Sequence, residues 1–272
     1  MHAHFALWPA IVLALLTGAA QAQDVPFVEN RQQFGPRQEP GVLRFCVDHR
    51  DSDWEIAQQV GAAMAEALLL RPVEVPIEDQ IVTLDLDELY RVLLEDCDVH
   101  LGFKLLPQAY PPWMMLSRSY YSASYVLAVT DPSWRSLADV PAGQAISSTI
   151  GTAADLLFAS YVLNQPVDRR WRRLPMSTDR AAIDAVVSGT SVAALVWAPG
   201  LWALQQSGEV PSSVRLIPTA PLPETMVGVG AAMLSDQTFL RTELDQAIGS
   251  LVADGTLQGI FDSAGFPATA GP

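Results

Sequence analysis

Histidine and cysteine are both scarce in this chain, with four of the first and two of the second, and several chemistries fall away for want of them. His2 and His4 sit in an N-terminal leader, which leaves His49 and His100, and two thiols beside them make a poor zinc cage. A Ser-His-Asp or Cys-His nucleophile would need one of the same two histidines, and neither lies in a nucleophile motif. The acidic pairs Asp51/Asp53 and Asp85/Asp87 match neither an EF-hand loop nor a metal-hydrolase pattern, and they read as helix-start residues. Catalysis, a metal and a cofactor are therefore not expected. Basic residues are also few: 16 Lys and Arg stand against 30 Asp and Glu, a net charge of −14. That field repels nucleic acid and anionic membrane surfaces; it serves solubility or attracts a basic protein partner. After the leader no apolar run approaches the roughly 20 residues of a membrane-spanning helix, so no membrane anchor is expected. No short repeat and no low-complexity tract is found.

What is present begins with the leader. Leu7 to Ala19 is apolar or small except for Thr17, and Ala20-Gln21-Ala22 follows with the small-x-small pattern of a cleavage site. Residues 1–22 are expected to be a signal peptide, cleaved after Ala22 to release a soluble periplasmic protein starting at Gln23; a buried apolar helix is the alternative. Removing 22 of the 272 residues leaves 250, enough for one or two domains with a large core. Cys46 and Cys97 then lie in an oxidising compartment, where a disulfide is the natural inference and two buried free thiols the alternative. Closing a loop of roughly 50 residues stabilises a fold by about 3–4 kcal/mol on the chain-entropy model.

Residues 23–41 are rich in Gln, Pro and Arg without periodicity and read as an extended linker. Val42 to Val47 reads as a buried strand. Ser52 and Glu55 have capping-box spacing before a helical stripe of Ile56, Val60, Met64, Ala67 and Leu68, which Pro72 stops. Val73 to Ile77 is a strand interrupted by Pro76; Asp85 opens a helix with Leu86, Leu89, Tyr90, Leu93 and Leu94 on one face; Cys97 to Gly102 is a further strand. This alternation predicts a parallel sheet in which the first and third strands can be neighbours, bringing Cys46 and Cys97 together. Beyond it come strands at 125–129, 144–148 and 192–197, helices at 152–163 and 179–188, a strand from Met226, and two final helices.

Leu43-Arg44-Phe45-Cys46, Cys97 to Gly102, Ser119 to Val126 and Val192 to Pro199 together resemble one group. It is the type II periplasmic solute-binding-like proteins associated with quinoprotein alcohol dehydrogenases, including the accessory "J" proteins of methanol dehydrogenase systems. The ending, Leu244 to Pro267, is similar to that of the wider superfamily. The resemblance implies a two-lobed α/β fold, each lobe a mainly parallel sheet flanked by helices, with two hinge crossovers. Residues 42–124 and 226–272 would form lobe one and 125–225 lobe two. It also implies an accessory role without catalysis, with a quinoprotein dehydrogenase or its cytochrome as partner and room for a small-molecule ligand in the cleft. A transporter's solute receptor is the alternative, and an enzyme such as a dehydratase on the same fold a third. Two departures stand out. Amino-acid-binding members carry an arginine clamp for the ligand carboxylate where this chain has Phe103-Lys104 after Gly102, and the loop after the first strand is replaced by His49 to Glu55.

Candidate ligand-binding residues follow from the expected cleft. Thr149, Gly151 and Thr152 precede a helix, where hydroxyls and free N–H groups either meet a ligand or simply cap. Lys104 could act as a point charge. Trp54, Tyr121 and Trp197 could line a pocket with flat apolar surface or pack the core. For a protein partner, the candidates are Trp113, in the apolar run after Pro111-Pro112, and Arg170 and Arg172, in the Arg169 to Arg173 cluster; core filling and a solvated loop are the plain alternatives.

Overall fold

The computed structural model describes residues 40–77, 86–106 and 110–272. The expected signal peptide, most of the expected 23–41 linker and Asp85 lie outside them. Strand β1 (Val42–Asp48) leads to helix α1 (Trp54–Ala67), strand β2 (Arg71–Ile77), helix α2 (Leu86–Glu95) and strand β3 (Val99–Leu105). β1 runs parallel to β2 on one side and to β3 on the other, with Cys46 opposite His100. Cys46 and Cys97 are joined, their Cα atoms 5.6 Å apart. Reciprocal bonds hold this end of β1: the Arg44 N–H donates to the Asp98 carboxylate at 2.8 Å, and the Asp98 N–H to the Arg44 carbonyl at 2.9 Å.

α1 buries Ile56, Val60 and Met64 against this sheet, while Ala67 is exposed. Gly61 is where the helix meets the strands, since a Cβ there would stand 2.6 Å from the Phe45 ring and 2.8 Å from Leu101. The Ser52/Glu55 capping box does not form. The helix starts at Trp54 with Asp53 at its N-cap position and no side-chain cap, because the Asp53 carboxylate is bonded to Tyr121. β2 holds both Pro72 and Pro76, which an edge strand tolerates because its outer N–H groups need no sheet partner.

Strands β4 (Met114–Leu116) and β5 (Tyr121–Val129) follow. The second lobe then contains β6 (Ala145–Thr149), α3 (Ala153–Asn164), β7 (Arg172–Met176), α4 (Asp179–Val187), β8 (Ala193–Trp197), α5 (Ala198–Gln206) and β9 (Arg215–Ile217). β10 (Met226–Leu234), α6 (Thr238–Ala253), α7 (Thr256–Ala264) and β11 (Thr269–Ala270) return to the first. β5 belongs to both sheets: Tyr121 to Ser124 pair with β10, whereas Tyr125 to Val129 pair with β8. The chain therefore passes between sheets at Ser124/Tyr125 and comes back at Met226, which faces Ser124. Both sheets are mixed, not mainly parallel. β6 is parallel to β7 and β8, but the linking strands β5 and β10 run antiparallel to their neighbours because they carry the chain out and back.

Candidate functional site

The two passages between sheets bring the end of β3 over the ends of β6 and β8. Lys104, the only lysine of the chain, leaves β3 and places its Nζ 5.0 Å from the ring centroid of Trp197, the last residue of β8. Trp197 is buried and backed by Tyr125, 5.1 Å away between ring centroids. Beside it stands Asp179, the first residue of α4, whose carboxylate accepts from the Thr149 hydroxyl. Gly200 makes room for it: a Cβ there would lie 2.8 Å from Asp179 Oδ2. On the opposite wall, the buried Asp53 accepts from the Tyr121 hydroxyl at 2.5 Å, and Tyr120 Oη accepts the Gly102 N–H at 2.9 Å. Gly102 has φ +81°, and a Cβ on it would sit 3.3 Å from Asp51 Oδ2, which places Asp51 at the same mouth.

These carboxylates share one counter-charge. Burial raises the Asp53 and Asp179 pKa values; the Tyr121 and Thr149 hydroxyls, and in both cases the Lys104 ammonium, work against the rise without cancelling it. Asp51 keeps an exposed edge, but the protein crowding its carboxyl, then the Asp53 and Asp48 charges, push it up to about 7 against the opposing pull of Lys104 and Arg50. Tyr125 is pushed up to about 12 by burial and the Asp179 charge. Asp48 goes the other way: burial raises it, but the Arg50 hydrogen bonds and charge hold it below the ordinary carboxylate range. Lys104 is thus the positive charge felt by carboxylates of both lobes, and among the described residues it stands over Trp197 without being ion-paired with any of them.

Outside this centre lies a groove of ≈ 570 Å³ between the His49 to Glu55 loop and α5, with Trp54 and Trp202 as its aromatic walls and Asp51, Glu55 and Glu209 along its rim. Trp54 is held by His49, 4.2 Å away between ring centroids, and His49 Nε2 lies 2.8 Å from Glu74 Oε1. At the β6–α3 turn the polar groups are engaged locally. Thr152 caps α3 by accepting from the Asp155 N–H at 3.2 Å, its hydroxyl donates to the Thr149 carbonyl at 2.9 Å, and the Gly151 N–H donates to Asp155 Oδ2 at 3.1 Å.

The structure thus brings Lys104, Thr149 and Trp197 together in one cleft, with Tyr121 behind its wall and Trp54 in the adjoining groove. Trp113 is elsewhere. It is 6% exposed, packed on Tyr90 in the cluster around the disulfide, and has no surface to present to a partner. The Arg169 to Arg173 cluster is not a single solvated loop. Trp171 is in the core, Arg173 grips the buried Asp155 through two bonds of 2.7 Å, and Arg170 and Arg172 donate to the carbonyls of Gln165, Leu163 and Gly143. Asp51, Asp53 and Asp179 went unrecognised because acidic residues at helix starts have an ordinary explanation in the helix dipole. Only the fold shows that all three lie within reach of the Lys104 charge.

The two sheets, the double passage between them and the cleft define the two-lobed α/β architecture of the type II periplasmic solute-binding proteins. Solved structures carry the same fold. The chain is similar to MxaJ from Methlophaga aminisulfidivorans MPT, with TM-score 0.58 and 16% identity over 84% of this chain and 100% of that one. It is similar to substrate-binding domain 2 of Lactococcus lactis GlnP in its open conformation, with TM-score 0.63 and 16% identity over 85% and 97%. The ancestral cationic amino acid solute-binding protein AncCDT-1 gives TM-score 0.60 and 17% identity over 82% and 95%. No family model matches the chain, and no curated protein matches it. Among the described residues no helix is long and apolar enough to cross a membrane.

Proposed function

We propose that this chain is an exported accessory protein of a quinoprotein alcohol dehydrogenase system, which assists the dehydrogenase by contact and turns over no substrate itself. The observation that carries this is the state of Lys104. It follows Gly102 where amino-acid-binding proteins of the fold are expected to keep their arginine clamp, yet it reaches across to Trp197 and serves Asp51, Asp53 and Asp179 as their common counter-charge. Three carboxylates within reach of one lysine leave the cleft electronegative, which works against a free amino acid's carboxylate. The likeness to MxaJ supports the accessory role; amino-acid-binding structures are as similar, so the cleft bears the weight.

One observation favours a transporter's receptor instead. Three carboxylates against one lysine leave the cleft acidic, and a small organic cation would suit it. Capture of the tagged protein from its native periplasm, with mass spectrometry of proteins and small molecules, separates the two. A dehydrogenase or its cytochrome should co-purify. A retained small cation with no protein partner would overturn the accessory role.

A further inference from the structure

Helix α3 is apolar on both faces. Ala154, Phe158 and Val162 bury its inner face, and Leu157 and Tyr161 pack partly against the same core. The outer face should be polar if water were its only neighbour. Instead Ala153, Leu156, Ser160, Leu163 and Val167 follow one another at alternating steps of three and four residues, and all five are exposed. Leu156 is 63% exposed, Leu163 69% and Val167 79%. On α3 the spacing of Ala153, Leu156, Ser160 and Leu163 is the seam one helix offers to another, and Val167, in the short turn after Pro166, adds an exposed apolar side chain beyond its end, unlike the isolated Phe239 on α6.

Charge borders the stripe at one end. Beyond the C-terminus of α3 come Asp168, Arg169, Arg170 and Arg172, and among the described residues none of these arginines is ion-paired with a carboxylate; Arg170 and Arg172 bond only to carbonyls. Against a total of −14, this is a local excess of positive charge. A second copy of the chain is poorly matched to it. In a two-fold pairing of α3 with α3, the helix's only acid, Asp155, is buried beneath Arg173 and cannot meet the partner copy's arginines.

We propose that the outer face of α3, from Ala153 to Leu163, with Val167 in the turn that follows and Arg169, Arg170 and Arg172 beyond it, is a docking surface for an acidic protein that lays an apolar helix edged with carboxylates along it. The arginines steer the encounter and set its direction; Leu156, Leu163 and Val167 supply the dehydrated contact. This rests on the accessory role for the identity of the partner, but the surface is tested separately.

A benzophenone amino acid replacing Leu156 in the full chain, irradiated in the native periplasm, reads the occupant directly. The expected adduct is with an acidic second protein identified by mass spectrometry. Its yield should fall about tenfold on adding Leu163→Asp, and by a similar factor on adding Arg169→Glu with Arg172→Glu or on raising salt. Phe239→Asp should leave it unchanged. Because the substituted side chains are exposed, melting temperatures should stay with the parent and show that folding is intact. An adduct with a second copy, with the chain's own residues, with lipid or with a basic protein would overturn the proposal, as would an adduct indifferent to Leu163→Asp. If capture finds the dehydrogenase but Leu156 forms no protein adduct, the surface is wrong and the accessory role stands. An acidic partner from outside alcohol oxidation would support the surface and refute that role.

Discussion

Among single residues, His100 is the most exacting to accommodate. It is 4% exposed on β3 beside the disulfide, and among the described residues neither ring nitrogen has a hydrogen-bond partner within bonding geometry. Burial, against the favourable charge of Asp48 and a backbone contact at Leu101 and with the adverse charge of Arg50, lowers its pKa to about 4. A depressed pKa contributes stability that is present above the unfolded value, near 6.5, and is lost as pH falls through about 4. The wild type should therefore lose about 3 kcal/mol more than His100→Leu between pH 7 and pH 4, measured by urea unfolding of each protein at both values. Equal losses would contradict the burial of a neutral ring. Asp51 acts in the opposite sense. Its raised pKa contributes stability that is complete below the unfolded value and is lost as pH rises through about 7, so the acid sensitivity due to His100 is clearest when Asp51→Asn is the common background. At this scale the sequence is least informative: Asp48 and Asp53 flank Asp51 in the chain, but nothing there announces how far its carboxyl is crowded, and nothing beside His100 announces that its ring is buried without a partner.

Elements were legible where one physical pattern dominated. Ile56, Val60 and Met64 mark the inner face of α1, Thr152 caps α3, and Leu244, Ile248 and Leu251 line α6, all by helical period. α5 was not legible, since Ala198-Pro199-Gly200 reads as a turn; proline at the start of a helix needs no N–H, and the surrounding apolar residues give no period. β7 was hidden because Arg172 and Arg173 read as loop, although an edge strand can send arginines outward to carbonyls and to Asp155. The cysteine pairing was legible because export favours a disulfide and a parallel unit allows β1 and β3 to be neighbours, as they are. Denatured, unreduced protein should accordingly show no titratable thiol, and replacing Cys46 and Cys97 by Ala together should lower stability by about 3–4 kcal/mol for a closed segment of 51 residues. Two titratable thiols would contradict the structure.

For the molecule as a whole, strand and helix order indicated an α/β sheet and the resemblance to solute-binding proteins implied the two lobes, but neither gave the content of the cleft, which is made where distant segments meet. Lys104, Asp179 and Trp197 lie far apart in sequence and become one site only through the β5 passage between sheets. With no arginine clamp after Gly102, calorimetry against the common amino acids should find no dissociation constant as tight as the micromolar range; one near 1 μM, roughly −8 kcal/mol, would show that another group has replaced the clamp. Deletion of its gene tests most directly which system the protein serves. Periplasmic quinoprotein dehydrogenase activity should fall while solute uptake continues. Unchanged dehydrogenase activity with loss of growth on one imported nutrient would contradict the accessory role and establish a transport receptor in its place.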